Sequence, residues 1–116
     1  MSFTEEWADL LTWSCQISTP SVDDGYGNPQ WAAPVMVQAH VDQTTLAEAT
    51  QGDHDGVAGE EHDTGTIYFG TDAGVTPVPL TKVTFPYGAE VSITTVVQHY
   101  DNDGAPHHFE CMWEAL

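Results

Sequence analysis

Alternation of apolar and polar residues with a period of two dominates this chain. Trp13, Cys15 and Ile17 alternate with Ser14, Gln16 and Ser18, a spacing that puts the apolar set on one face of a strand. The same period returns at Val35, Val37, Ala39 and Val41, interleaved with Met36, Gln38 and His40. Two shorter runs, GTIYF at 65–69 and LTKVTF at 80–85, predict further strands. Between them TDAGVTPVP reads as a loop, because its prolines cannot join a central ladder. The clearest signal closes the chain. Val91, Ile93, Thr95 and Val97 fall on one face of VSITTVVQHY, and Phe109, Cys111 and Trp113 on one face of HHFECMW, with His108, Glu110 and Met112 opposite. DNDGAP between them is a hairpin connection.

Only the first residues follow another period. Ser2 and Glu5 form an S-x-x-E capping box, and Phe3, Trp7, Leu10 and Leu11 recur at helical spacing, predicting a short amphipathic helix over 2–11. Five or six short strands separated by turn signals then predict a mainly β fold, a small antiparallel β-barrel with a short N-terminal helix. At 116 residues the chain is expected to form one domain, 1–116. DDGYGNP at 23–29 reads as a turn-rich loop. A second, longer connection interrupts the pattern. Residues 42–63 are acidic and rich in Gly and Ala, and structureless connections near 20 residues are uncommon inside compact domains unless functional or disordered. Folded back on itself, such a loop reaches on the order of 30 Å at 3.3–3.6 Å per residue.

Charge changes the picture most. One cation, Lys82, stands against 18 carboxylates, for a net charge of −17. A surface of this kind repels phosphate backbones and anionic lipid, which nearly excludes conventional nucleic-acid binding. The acids interleave with aromatics rather than forming a tail, which argues against disorder. Self-repulsion of this size points to a salt-rich habitat, where screening makes it tolerable; the plainer alternative is that the acids face a basic partner or line a passage for DNA. No basic-then-apolar leader and no apolar run of membrane-spanning length is present, so neither classical export nor a membrane is expected. Two cysteines cannot make a disulfide framework. Cys15 and Cys111 sit among alternating apolar residues and read as buried thiols, with a single bridge as the alternative.

Candidate chemistry is sparse. Counted from His99, an EF-hand loop would place Asp101 at position 3, Asp103 at 5, Gly104 at 6 and Glu110 at 12. His99 is not a ligand type for position 1, Pro106 stands at position 8, and the flanks read as strands, so the hairpin reading prevails. His107 and His108 are strand neighbours and should point to opposite faces. A His99–His107 pair with Asp101 would resemble part of a zinc shell, but ordinary polar residues at a hairpin end are the preferred reading. His54 and His62 among the acids of GDHDG and EEHD lie in a glycine-rich loop that would hold a metal poorly. No metal or other cofactor is therefore expected. No G-x-S-x-G, P-loop, H-E-x-x-H or Rossmann fingerprint occurs, no catalytic residue is assigned, and no enzyme is expected. Trp7, Trp13 and Trp113 lie on apolar faces and read as core rather than as a sugar platform.

The order of features resembles the head completion proteins of tailed viruses, the head-to-tail connector or stopper group. GNPQW, VMVQAHV, a loop, GTIYFGTDAGVTPVPLTKVTF and finally TTVVQHYDNDGAPHHFECMW carry the likeness over residues 12–114. It is a likeness of strands and turns, not of catalytic residues, and the N-terminal helix and extreme acidity depart from many members. The resemblance implies a barrel that assembles with itself, commonly as a ring of 12 copies, in the virion neck after synthesis in the host cytoplasm. The portal and its adaptor would lie above, and the tail terminator below. Residues 43–63 would enter the central channel, with Thr45, Glu48, Asp53, His54, Asp55, Glu60 and Glu61 facing double-stranded DNA that passes without specific binding. A tail terminator is the nearest rival, and a metal- or carbohydrate-binding β-module of a halophile the rival of another class.

The charge makes one prediction directly. Raising ionic strength from 0.01 to 1 M shortens the Debye length from about 30 to about 3 Å, so the Tm followed by circular dichroism is expected to rise along a NaCl series. A flat or falling Tm would contradict the salt-adapted reading.

Overall fold

The computed structural model describes residues 3–21, 30–45 and 62–116. Its elements run α1 (Phe3–Glu6), β1 (Trp13–Ser18), β2 (Pro20–Ser21), β3 (Gln30–Trp31), β4 (Val35–Thr45), β5 (His62–Gly70), β6 (Lys82–Thr84), β7 (Glu90–Tyr100) and β8 (Pro106–Ala115). Six strands close into an antiparallel barrel in the order β1-β4-β5-β8-β7-β6, and β2 and β3 form a separate two-stranded sheet. The mainly β barrel expected from the alternation is present. Closure comes from the pairing of β1 with β6, Ile17 opposite Val83, which removes the free edges that an open sheet would expose.

The inward set of each strand fills the barrel. Cys15, Ile17, Val37, Ala39, Ile67, Phe69, Val83, Phe85, Ile93, Phe109, Cys111 and Trp113 belong to one buried cluster. Burial of each large aliphatic or aromatic side chain contributes about 1.5–3 kcal/mol relative to exposure. Trp113 is the largest of them, and Gly65 stands opposite it on β5. A Cβ at Gly65 would collide with both the Trp113 indole and the Asp42 carbonyl. The glycine thus leaves the space that the indole occupies. The indole N–H has no hydrogen-bond partner among the described residues, so its place in the core rests on packing.

Two departures from regular pairing reshape β7 and β8. Ile93 pairs with Trp113 and Thr95 with Met112, leaving Thr94 as an extra residue. Its hydroxyl donates to the Met112 carbonyl, 3.3 Å away. One extra residue inverts every following side chain. The expected face Val91, Ile93, Thr95, Val97 is therefore corrected. Val91 and Ile93 point inward, Val96 packs against the core after the slip, and Thr95 and Val97 are exposed. The second departure lies at His107, between the pairs His99–His108 and Tyr100–Pro106.

Other boundaries move as well. β4 and β5 extend to Thr45 and His62, taking four residues and two residues from the expected 42–63 loop. Only 46–61 then lies between paired strands, outside the described residues, as does the DDGYGNP turn. The helix is shorter than the expected 2–11. Trp7 N donates to the Phe3 carbonyl and Leu11 N to that of Trp7, but only Phe3 and Leu11 are buried, while Leu10 stays half exposed. So short an apolar stripe cannot hold a longer helix against its nucleation cost. Leu80 adopts a left-handed φ of 75°, fixed by its N–H to the Ile93 carbonyl and by the Trp31 Nε1 bond to its own carbonyl.

Gly65→Ala is expected to cost about 1–3 kcal/mol through overpacking, measured as a drop in the denaturant midpoint at unchanged m. An unaltered midpoint would mean that the indole is not held against this backbone.

Candidate functional site

Along the β5–β8 ladder the two ends of the barrel differ in chemistry. At one end Thr45 pairs with His62, and the acidic connection 46–61 begins there. β1 pairs with β4 only as far as Ala39, opposite Trp13, so the β4–β5 hairpin runs on past that ladder. Thr45 is the one expected channel residue within the described backbone. Glu48, Asp53, His54, Asp55, Glu60 and Glu61 lie outside the described residues. At the other end, roughly 25 Å away at ~3.3 Å per strand residue, β5 finishes at Gly70 opposite His108, beside the DNDG turn and α1.

The DNDG turn is built around Asp101. Its Oδ1 accepts from Asp103 N at 2.8 Å and from Ala105 N at 3.0 Å. The backbone closes the hairpin through Asp101 N to Ala105 O and Gly104 N to Asp101 O. Gly104, with φ 83°, takes the left-handed position that most residues avoid. The hydrogen bonds from Ala105 and then Asp103 hold the Asp101 carboxyl below the usual carboxylate range. This oxygen, which the calcium reading would aim at an ion, faces its own turn.

Next to the turn lies a cluster that the alternation rule misplaces. His107 occupies the slipped position, and its carbonyl accepts from both Thr71 N and Thr71 Oγ1 at 3.2 Å. The expectation that His107 and His108 face opposite ways is overturned. Their Nδ1 atoms are 2.9 Å apart and their rings meet edge to face. His99 stands opposite His108 rather than His107, with the two rings stacked at 4.6 Å and 15°. Phe3 also stacks on His108, at 4.5 Å and 21°, and Trp7 stacks on Phe3 at 4.9 Å.

Two carboxylates complete the cluster. Glu6 Oε2 lies 2.7 Å from His107 Nε2, and Glu110 Oε1 lies 2.8 Å from His99 Nε2. Burial first, then the neighbouring His99 and His107, lowers the His108 pKa below the ordinary imidazole range, while Glu110 opposes this. Thr4 Oγ1 donates to Asp72 Oδ1 at 2.7 Å and ties the helix to the turn after β5. Phe3 is 1% exposed, so it is the anchor of α1. Among the described residues, no group of three or more His, Cys, Asp or Glu side chains could hold a metal ion.

The remaining candidates are placed as follows. Cys15 and Cys111 are buried free thiols, and burial pushes both up to about 12, with Glu110 adding to the effect at Cys111. Trp113 is core and Trp13 packs against it, but Trp7 is 36% exposed and belongs to the helix contact instead. Lys82, the single cation, lies 3.6 Å from Glu90 and sits over the Trp31 ring at 4.7 Å. Sequence reasoning missed Phe3 and Glu6 as partners of the histidines. Glu6 and His107 are 101 positions apart, and no local pattern joins them. The HH doublet was the one available signal. No protein family's sequence model matches the chain, and neither a curated protein nor a solved structure matches it.

Asp101 also makes a pH prediction. A carboxyl with a depressed folded pKa stabilises above its unfolded value of about 3.9 and loses that contribution as pH falls through the folded one. Asp101→Ala is expected to lower Tm at pH 7, and the gap from wild type should close below about pH 4. An equal gap at pH 7 and pH 3 would place the effect elsewhere.

Proposed function

We propose that this chain is a ring-forming structural protein of the neck of a tailed virus, a head completion or stopper protein that links the portal and its adaptor to the tail. The observation that carries the reading is the β4–β5 hairpin, which runs past the β1 ladder and delivers the acidic connection 46–61 to one end of a closed barrel. A barrel without free edges is a stiff mount for such a segment. That connection holds Glu48, Asp53, Asp55, Glu60 and Glu61 and no Lys or Arg. Repeated around a ring, it would make a collar of negative charge that obstructs or guides a duplex without binding its phosphates. Lys82, already facing Glu90 and Trp31, offers no competing phosphate site. A cyclic assembly joins one patch of each subunit to a different patch of the next, and exposed side chains such as Met36, Leu80 and Met112 are available for such contacts.

The test is assembly and retention together. Negative-stain imaging of the purified protein or of particles is expected to show closed rings. Deleting residues 46–60 should leave the barrel folded by circular dichroism, while virus heads lose packaged DNA. Loss of folding, or full retention of DNA by the deletion variant, would overturn the reading.

A further inference from the structure

At the end of the barrel opposite the acidic connection, the His107–His108 contact limits how many protons the two rings can carry together. Two imidazole Nδ1 atoms at 2.9 Å need one N–H and one lone pair between them. The hydrogen-bond network assigns the roles. His107 Nε2 faces the Glu6 carboxylate at 2.7 Å, an acceptor, so His107 carries a proton there and keeps its Nδ1 lone pair. His108 then donates from Nδ1. A second proton on His107 is met by His108 shifting its own proton to Nε2 and accepting at Nδ1, whereas with both rings charged N–H faces N–H.

The groups around this pair come from every element packed on it. Glu6 arrives from α1, His99 from β7, His107 with Glu110 from β8, and Asp72, just after β5, holds Thr4 of α1. Asp101 and Asp103 line the same depression as Glu6 and His107, and Tyr68 on β5 faces Glu110. Both close carboxylates bond to other imidazoles, Glu6 to His107 and Glu110 to His99. His108 is stacked on by Phe3 and by His99.

We propose that the His107–His108 pair is an acid-operated latch for the N-terminal helix. At neutral pH its single shared proton holds His108 in the Phe3 stack and α1 on the barrel. In acid both rings are charged, the contact opens and Phe3 leaves. The depressed His108 value agrees in sign. A fold that prefers neutral imidazole is stabilised above the unfolded value of about 6.5, and that contribution is lost as pH falls through the folded value. Protonation strengthens the Glu6–His107 pair, but the Glu6 side chain is 41% exposed and its attraction is screened. The latch does not depend on the ring assignment.

The experiment is an NMR titration from pH 7.5 to 5 at fixed ionic strength, following imidazole nitrogens and the Phe3 ring. The expected result is loss of the stacking shift at Phe3 as both imidazoles become cationic, with Ile67 and Phe69 of the core unmoved. His108→Phe, which keeps an aromatic in the stack, should retain the Phe3 shift at pH 5. His107→Gln should displace the transition in pH or abolish it, and it keeps the latch testable if the first variant misfolds. Phe3 signals that stay fixed while both histidines charge would overturn the proposal. So would a transition unchanged in either folded variant.

Discussion

The β7–β8 ladder, with two single-residue slips, is the constraint on which the rest of the structure depends. The slip at Thr94 turns the second half of β7 over, so that Val96 rather than Thr95 faces the core. The slip at His107 cancels alternation at the other end and brings neighbouring imidazoles into contact. Each slip has its own support. Thr94 bonds back to Met112, and the His107 carbonyl is held by Thr71. Bulges of this kind increase local twist, and a barrel of only six strands needs strong twist and coiling to close.

Closure in turn requires an interior whose volume is matched by side chains. Trp113 fills the space left by Gly65, and Ala39 and the two small thiols stand among Ile67, Phe69 and Phe109. Unequal sizes let side chains interdigitate in so narrow a barrel. Outside, the one cation is taken up by Glu90 and the Trp31 face. The remaining surface is dominated by carboxylates, so contacts with other molecules must come through apolar side chains or tolerate like charge.

The two barrel ends divide the chemistry between them. One end carries the acidic connection that the proposed neck function would use. The other holds four stacked rings, Trp7, Phe3, His108 and His99, that fasten the N-terminal helix. The acidic connection was legible in sequence, because five acids among glycines and alanines interrupt an otherwise regular alternation. The aromatic and imidazole stack was not. Its members come from positions 3 to 108 and meet only because Gly70 and His108 lie side by side in the closed sheet.

By itself the sequence determined the six barrel strands, the inward faces of β1, β4 and β8, the hairpin at DNDG and the acidity of the surface. These follow from a two-residue period, turn chemistry and charge, all of which act over a few neighbouring positions. Only the tertiary structure decided which β7 residues face the core, where the long connection starts and ends, and that Trp7 sits on the surface. It also decided that His107 and His108 meet Nδ1 to Nδ1 beneath Phe3. Those outcomes depend on register between strands distant in sequence, and a shift of one residue, invisible in local pattern, reverses every side chain beyond it.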